Sequence, residues 1–296
     1  MIKLRAGDHV AIVAPSAQIG DESKIKKGID YLKSLGLIPV YGKHLFLQNR
    51  YMAGSDIQRA EDVNDAFADP DIKAIFCVRA AAGATRILPY IDYKLAKQNP
   101  KPVIGFCDNI ALQIALNKLS DTICINGFLL TYDFKNSSLD NTIRNDLEKL
   151  LSGQSLSIQS GMTLRSGSTS GSLIATNLSV LMRMAGTPYF PNLANKILII
   201  EDVHERFHKI DLMLQQLKQQ PEFSKLKAVI FGQFSNCDGD EEDGTLMDIF
   251  NDFLDGTDIP SVYDFNFGHT PSRRVLPVGA HAELSADECL LQIRLD

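Results

Sequence analysis

Short unbroken apolar runs alternate with amphipathic stretches through the first half of the chain. The run over residues 9–14 predicts a buried strand that stops at Pro15-Ser16. Residues 23–35 follow with Ile25, Ile29, Leu32 and Leu35 on one helical face and Gly36 as a stop. The pattern then predicts a strand over 38–41, a helix over 55–68, a strand over 73–79, a strand over 102–106, a helix over 109–119 and a strand over 122–125. Continuous apolar strands separated by amphipathic helices imply an α/β fold with a parallel sheet covered on both faces.

The pattern changes at residues 153–172, where serine and glycine dominate and apolar residues are few. This stretch reads as a linker, which divides the chain into an N-terminal α/β domain over 1–152 and a mixed α+β C-terminal domain over 173–296. In the second domain the pattern predicts a helix over 173–185, a strand over 196–200, a helix over 211–217 and a strand over 228–231. Residues 280–295 alternate around Ala286-Asp287 like an antiparallel hairpin.

Composition narrows the range of functions. A formal net charge of −6 with no basic cluster argues against nucleic acid. No apolar run is long enough to span a membrane, and the N-terminus lacks the apolar core of a signal peptide. The five cysteines are scattered, with no C-x-x-C pair, which points to a reducing compartment and a cytoplasmic protein.

The densest chemistry lies at Gly105-Phe106-Cys107-Asp108-Asn109, between a predicted buried strand and a predicted helix. A nucleophile elbow has this context, because a sharp turn there projects the nucleophile above the sheet edge. Gly105 and Asn109 suit the tight backbone. A thiol at Cys107 would face the positive end of the following helix, which favours an anion. A buried structural cysteine at a strand end is the plainer reading of the same five residues.

Other segments join the elbow in a fixed order: Val13-Ala14-Pro15-Ser16, residues 79–92, Asn177-Leu178-Ser179, Gly186-Thr187-Pro188-Tyr189, Ile199-Ile200-Glu201-Asp202, Phe267-Gly268-His269 and Leu276-Pro277-Val278-Gly279. In this ordered set the chain resembles the LD-carboxypeptidase family, which includes muramoyltetrapeptide carboxypeptidases and microcin C self-immunity proteins. The resemblance implies a catalytic triad of Cys107, Glu201 and His269, with the thiol where the family usually carries serine. It implies an oxyanion and substrate pocket drawing on Ala81, Asp108, Arg79 and Arg86, the arginines pairing with a substrate carboxylate. It also implies a small muropeptide-like substrate cleaved before a terminal D-amino acid, no cofactor and no metal, and it leaves a homodimer open. The chain departs from the family's pattern at Arg79-Ala80-Ala81-Ala82-Gly83, where Arg-Gly-Gly-Tyr-Gly is usual, at Ala175-Thr176-Asn177 and at Asp211-Leu212. Those departures keep alive a silent or specialised homologue, one that binds cell-wall peptides or hydrolyses a peptidyl-nucleotide antibiotic.

Two further motifs compete. His204-Glu205-Arg206-Phe207-His208 is a literal H-E-x-x-H, which on a helix would set two imidazoles one turn apart for zinc. The charged Arg206 and the lack of a third ligand weigh against a zinc peptidase. The acidic run over 238–243 departs from the calcium-loop template at its sixth position, Asp243.

Overall fold

The computed structural model describes residues 3–134 and 138–295, which divide into two compact units. The first comprises residues up to Gln154 together with Val275–Gly279. Its strands are β1 (His9–Val13), β2 (Ile38–Tyr41), β3 (Ile72–Cys77), β4 (Val103–Gly105) and β5 (Cys124–Asn126), all parallel. A sixth strand, Leu276–Val278, arrives from far along the chain and pairs antiparallel with β5. The sheet order, taken from that last strand, is sixth strand, β5, β4, β3, β1, β2.

The expected α/β class holds, and the physical cause is the one read from the pattern. β1, β3, β4 and β5 are buried almost throughout, so both faces of the sheet must be covered by helices. The helices of this unit are α1 (Lys26–Ser34), α2 (Asp56–Ala68), α3 (Ala84–Ile87), α4 (Tyr93–Gln98), α5 (Ile110–Ser120) and α6 (Asn141–Leu151). Ser55 caps α2 in a reciprocal box: its hydroxyl accepts from Gln58 N, and the Gln58 side chain accepts from Ser55 N. α5 is buried from Ile110 through Leu116, as a helix between a sheet and its neighbours must be.

The second unit comprises Ser155–Arg274 and Ala280–Arg294. Its strands are β6 (Leu156–Gln159), β7 (Met162–Arg165), β8 (Ser168–Asn177), β9 (Lys196–Val203), β10 (Ala228–Ser235) and β11 (Ser261–Tyr263). Counting the sixth strand of the first unit as β12, the terminal hairpin supplies β13 (His281–Ser285) and β14 (Leu290–Arg294). The sheet order is β6-β14-β13-β8-β9-β10-β11-β7, with β8 through β11 parallel and the rest antiparallel. Its helices are α7 (Leu178–Arg183), α8 (Phe207–Lys218) and α9 (Leu246–Leu254).

The structure corrects two expectations here. Residues 153–172 are not a linker: they hold β6, β7 and the start of β8, all within the second unit. Ser168, Thr169 and Ser170 pair with β13 through the backbone while their short side chains face outward, so the strand carries no apolar signature. Residues 173–177 are the buried end of β8 rather than helix, and the helix begins only at Leu178. A short apolar run buried on both faces has no period by which strand and helix could be told apart.

Candidate active site

The chemistry-bearing side chains fall into two groups, one in each unit. In the first unit, β4 ends at Gly105 and a single helical turn, Cys107–Asn109, leads into α5. Cys107 stands at φ +58°, the left-handed region that a non-glycine residue enters at a cost of about 1–2 kcal/mol. Strain of this kind at a strand–helix junction is the backbone signature of a nucleophile elbow. Gly105 leaves room beneath it, since a Cβ there would crowd the Asn109 Cβ at 3.0 Å and the Cys77 Sγ at 3.3 Å. The Gly105 carbonyl accepts from Gly127 N (2.9 Å), which fixes the elbow to the end of β5.

The two residues after the thiol face inward and tie loops together. The buried Asp108 carboxylate accepts from the Ser16 hydroxyl (2.6 Å) and from the Ala84 backbone N–H (2.8 Å). Asn109 accepts from the same hydroxyl (3.0 Å) and donates to the Arg79 carbonyl (3.2 Å). The loop after β1 and the loop after β3 are therefore both anchored to the elbow.

The loop after β3 has Ala80 and Ala81 in two of the three glycine positions the resemblance implies and keeps only Gly83. Ala81 sits at φ +133° and Gly83 at φ +128°. Arg79 donates to the Gln18 carbonyl (2.7 Å). Arg86 forms a two-pronged bridge with Asp56, Nε to Oδ1 at 2.9 Å and Nη2 to Oδ2 at 2.7 Å, so its fork is committed to a protein carboxylate. The sequence reading missed Arg59. This arginine is buried in α2 and donates to the carbonyls of Pro15 and Gly83 while pairing with Asp56. An arginine in the middle of an amphipathic helix gives no sign of being buried, and only the folded loops reveal what it holds.

In the second unit, β9 carries Glu201-Asp202 just before its last residue, and both carboxylates are buried. Glu201 Oε2 lies 2.8 Å from His269 Nδ1, and Glu201 Oε1 accepts from the Asn177 amide at 3.1 Å. A carboxylate can only accept, so Nδ1 carries the proton and Nε2 is the basic nitrogen. Two glycines allow the approach. A Cβ on Gly232 would fall 2.4 Å from the Phe267 carbonyl, and Gly268, at φ +143°, would place one 3.2 Å from the Glu201 Cβ. Burial pushes the Asp202 carboxyl up to about 6, with the neighbouring charge of Glu201 adding to the effect.

The H-E-x-x-H motif does not form the zinc-binding helix it spells. His204 stands at φ +58°, and α8 begins only at Phe207, so the two imidazoles do not share a helical face. Arg206 instead bridges Asp238 (2.9 Å) and Asp240 (2.6 Å), which draws the acidic run into internal ion pairs, and Asp243 lies 3.6 Å from His208.

A strained elbow bearing a thiol on a parallel sheet, on one chain with a buried carboxylate–imidazole pair, is the equipment of a hydrolase. Residues 10–127 match the LD-carboxypeptidase N-terminal domain, and residues 170–284 match the LD-carboxypeptidase C-terminal domain. The chain is 33% identical over 291 residues to a putative carboxypeptidase of Synechocystis sp., covering 97% of this chain and 94% of the relative. It is 30% identical over 293 residues to the murein tetrapeptide carboxypeptidase of Pseudomonas aeruginosa, covering 94% of each. Its structure resembles that of muramoyltetrapeptide carboxypeptidase from Oxalobacter formigenes, with a TM-score of 0.88 at 27% identity over 96% of this chain and 97% of the other. The self-immunity protein MccF, in complex with glutamyl sulfamoyl guanosine, shares the fold, with a TM-score of 0.90 at 23% identity over 99% and 97% of the two chains. The chain belongs to the LD-carboxypeptidase family and is a carboxypeptidase-type peptidase.

Proposed function

We propose that this enzyme hydrolyses the amide before the C-terminal D-amino acid of a muropeptide, with Cys107 as nucleophile, His269 as base and Glu201 as the group that orients the imidazole. The observation that carries the chemistry is the 2.8 Å contact between Glu201 and His269, which sets the imidazole tautomer that a base needs. His269 Nε2 takes the Cys107 proton, and the thiolate attacks the scissile carbonyl. The backbone amides of Ala81 and Asp108 receive the oxyanion. The imidazolium then protonates the departing amine, and water, activated by the same nitrogen, hydrolyses the thioester. Arg79 is the arginine assigned to the substrate's terminal carboxylate, since Arg86 is already paired with Asp56. The proposed steps use protein side chains and water alone. Among the described residues no helix is long and apolar enough to cross a membrane, and cell-wall recycling in the cytoplasm suits such a substrate.

The test is release of D-alanine from a murein tetrapeptide by the wild type and by Cys107→Ala, Cys107→Ser and His269→Ala. The wild type should turn over, and Cys107→Ala and His269→Ala should each lose about 10³-fold or more in kcat. Tetrapeptide binding by the wild type without any D-alanine release would overturn the proposal.

A further inference from the structure

Glu201 is followed directly by a second buried carboxylate, and one side chain joins the two. Asn177, opposite Glu201 in the β8–β9 register, donates from Nδ2 to Glu201 Oε1 at 3.1 Å and to Asp202 Oδ1 at 3.0 Å. Its Oδ1 accepts from Val180 N at 3.0 Å and from the Ser179 hydroxyl at 2.8 Å. Both amide hydrogens and the carbonyl oxygen are therefore engaged, and the reversed amide would turn its oxygen toward two carboxylates. Asp202 is held in turn by the backbone N–H groups of Ser179 (2.9 Å) and Val203 (2.8 Å).

We propose that Asp202 is a positioning residue for the Glu201–His269 pair, acting through the side-chain amide of Asn177. Asp202 takes up the second amide hydrogen and so fixes the rotation of Asn177. The fixed amide holds Glu201 Oε1 and leaves Oε2 for His269 Nδ1. Burying a carboxylate beside another is costly, and burial already pushes the Asp202 carboxyl up to about 6. An apolar side chain would avoid that cost but leave the Ser179 and Val203 N–H groups and one Asn177 amide hydrogen without this acceptor. The carboxylate therefore orients the Asn177 amide at the same time as it satisfies those donors.

The inference rests on His269 acting as the base, so its test reads the imidazole directly as well as turnover. The variants are Asp202→Asn, which keeps the shape but supplies only one acceptor oxygen, and Asn177→Ser, which keeps a cap for α7 but removes the amide bridge. The Nδ1 proton of His269 is followed by NMR in histidine-labelled protein, with Glu201→Gln marking the fully uncoupled signal. Both variants should shift that resonance toward the Glu201→Gln position. They should lower kcat about 10- to 100-fold, the cost of a misplaced base, and leave KM within about twofold. A merely structural role would lower the melting temperature without moving the resonance. Wild-type resonance and kcat in Asp202→Asn would overturn the inference whatever Asn177→Ser does, because Asn177 also bonds Glu201 directly. If Asp202→Asn does not fold, Asp202→Ser, which removes the carboxylate, is read in its place. If the wild type proves inactive on the tetrapeptide, the resonance still decides, so the two readings fail separately.

Discussion

Cys107 differs from the other cysteines in standing at the elbow. It is partly exposed there, as Cys237 and Cys289 are elsewhere, whereas Cys77 and Cys124 are wholly buried. Burial pushes the Cys77 thiol well above the ordinary range and Cys124 to about 12, and half-buried Cys237 is raised to about 11 by burial and then by nearby carboxylates. The thiolate is the species that alkylates. Iodoacetamide near neutral pH, followed by peptide mapping, should therefore modify Cys107 first and leave Cys77 and Cys124 unlabelled in the folded protein. His269→Ala should slow Cys107 without changing the order of the others. Equal labelling of Cys107 and Cys77 would contradict an activated thiol.

Among the elements, α2 does more than cover the sheet, because Arg59 reaches from it to two loop carbonyls. Replacing Arg59 with methionine orphans the carbonyls of Pro15 and Gly83 and loosens the segment carrying Ala81. The expected loss is about 2–5 kcal/mol in urea unfolding, with a fall in kcat. Arg86→Met, which breaks an exposed bridge to the same Asp56, should leave the unfolding midpoint almost unchanged. Sequence and structure agree at this scale where an element announces itself by apolar period or turn chemistry. β1, β3, the elbow and the terminal hairpin all do so, and the motifs around residues 199–202 and 267–269 named two side chains that lie 2.8 Å apart. The start of β8 was hidden because its serines and threonine pair only through the backbone, and β6 because two buried residues, Leu156 and Ile158, make too short an alternation to stand out among serines. Arg59 was hidden because a charged residue on an amphipathic helix gives no sign of burial, and Asp202 because a carboxylate just past an apolar run reads as the solvated end of the strand. Gly232 and Gly268 matter only through the close approach of Phe267 and Glu201.

For the molecule as a whole, the buried carboxyl of Asp202 links stability to pH. Its folded value, about 6, lies above the ordinary carboxylate value. The contribution is therefore fully present below the unfolded value near 4, and it is lost as pH rises through about 6. Asp202→Asn cannot titrate, so its melting temperature relative to wild type should rise between pH 4 and pH 7. A constant difference across that range would contradict the assignment. Topology adds a constraint of another kind. Leu276–Val278 completes the first sheet by pairing with Cys124–Asn126, and the chain through Arg274 must be made before that strand exists. On the ribosome β5 emerges early with one flank open, and an open flank is a template for stray strands. The strand that closes it carries Pro277, a residue suited to a sheet's outermost position because it has no N–H to offer a further neighbour. The order of synthesis thus leaves the first unit unsealed until residue 278 has been translated, and the late arrival both completes that sheet and blunts its rim.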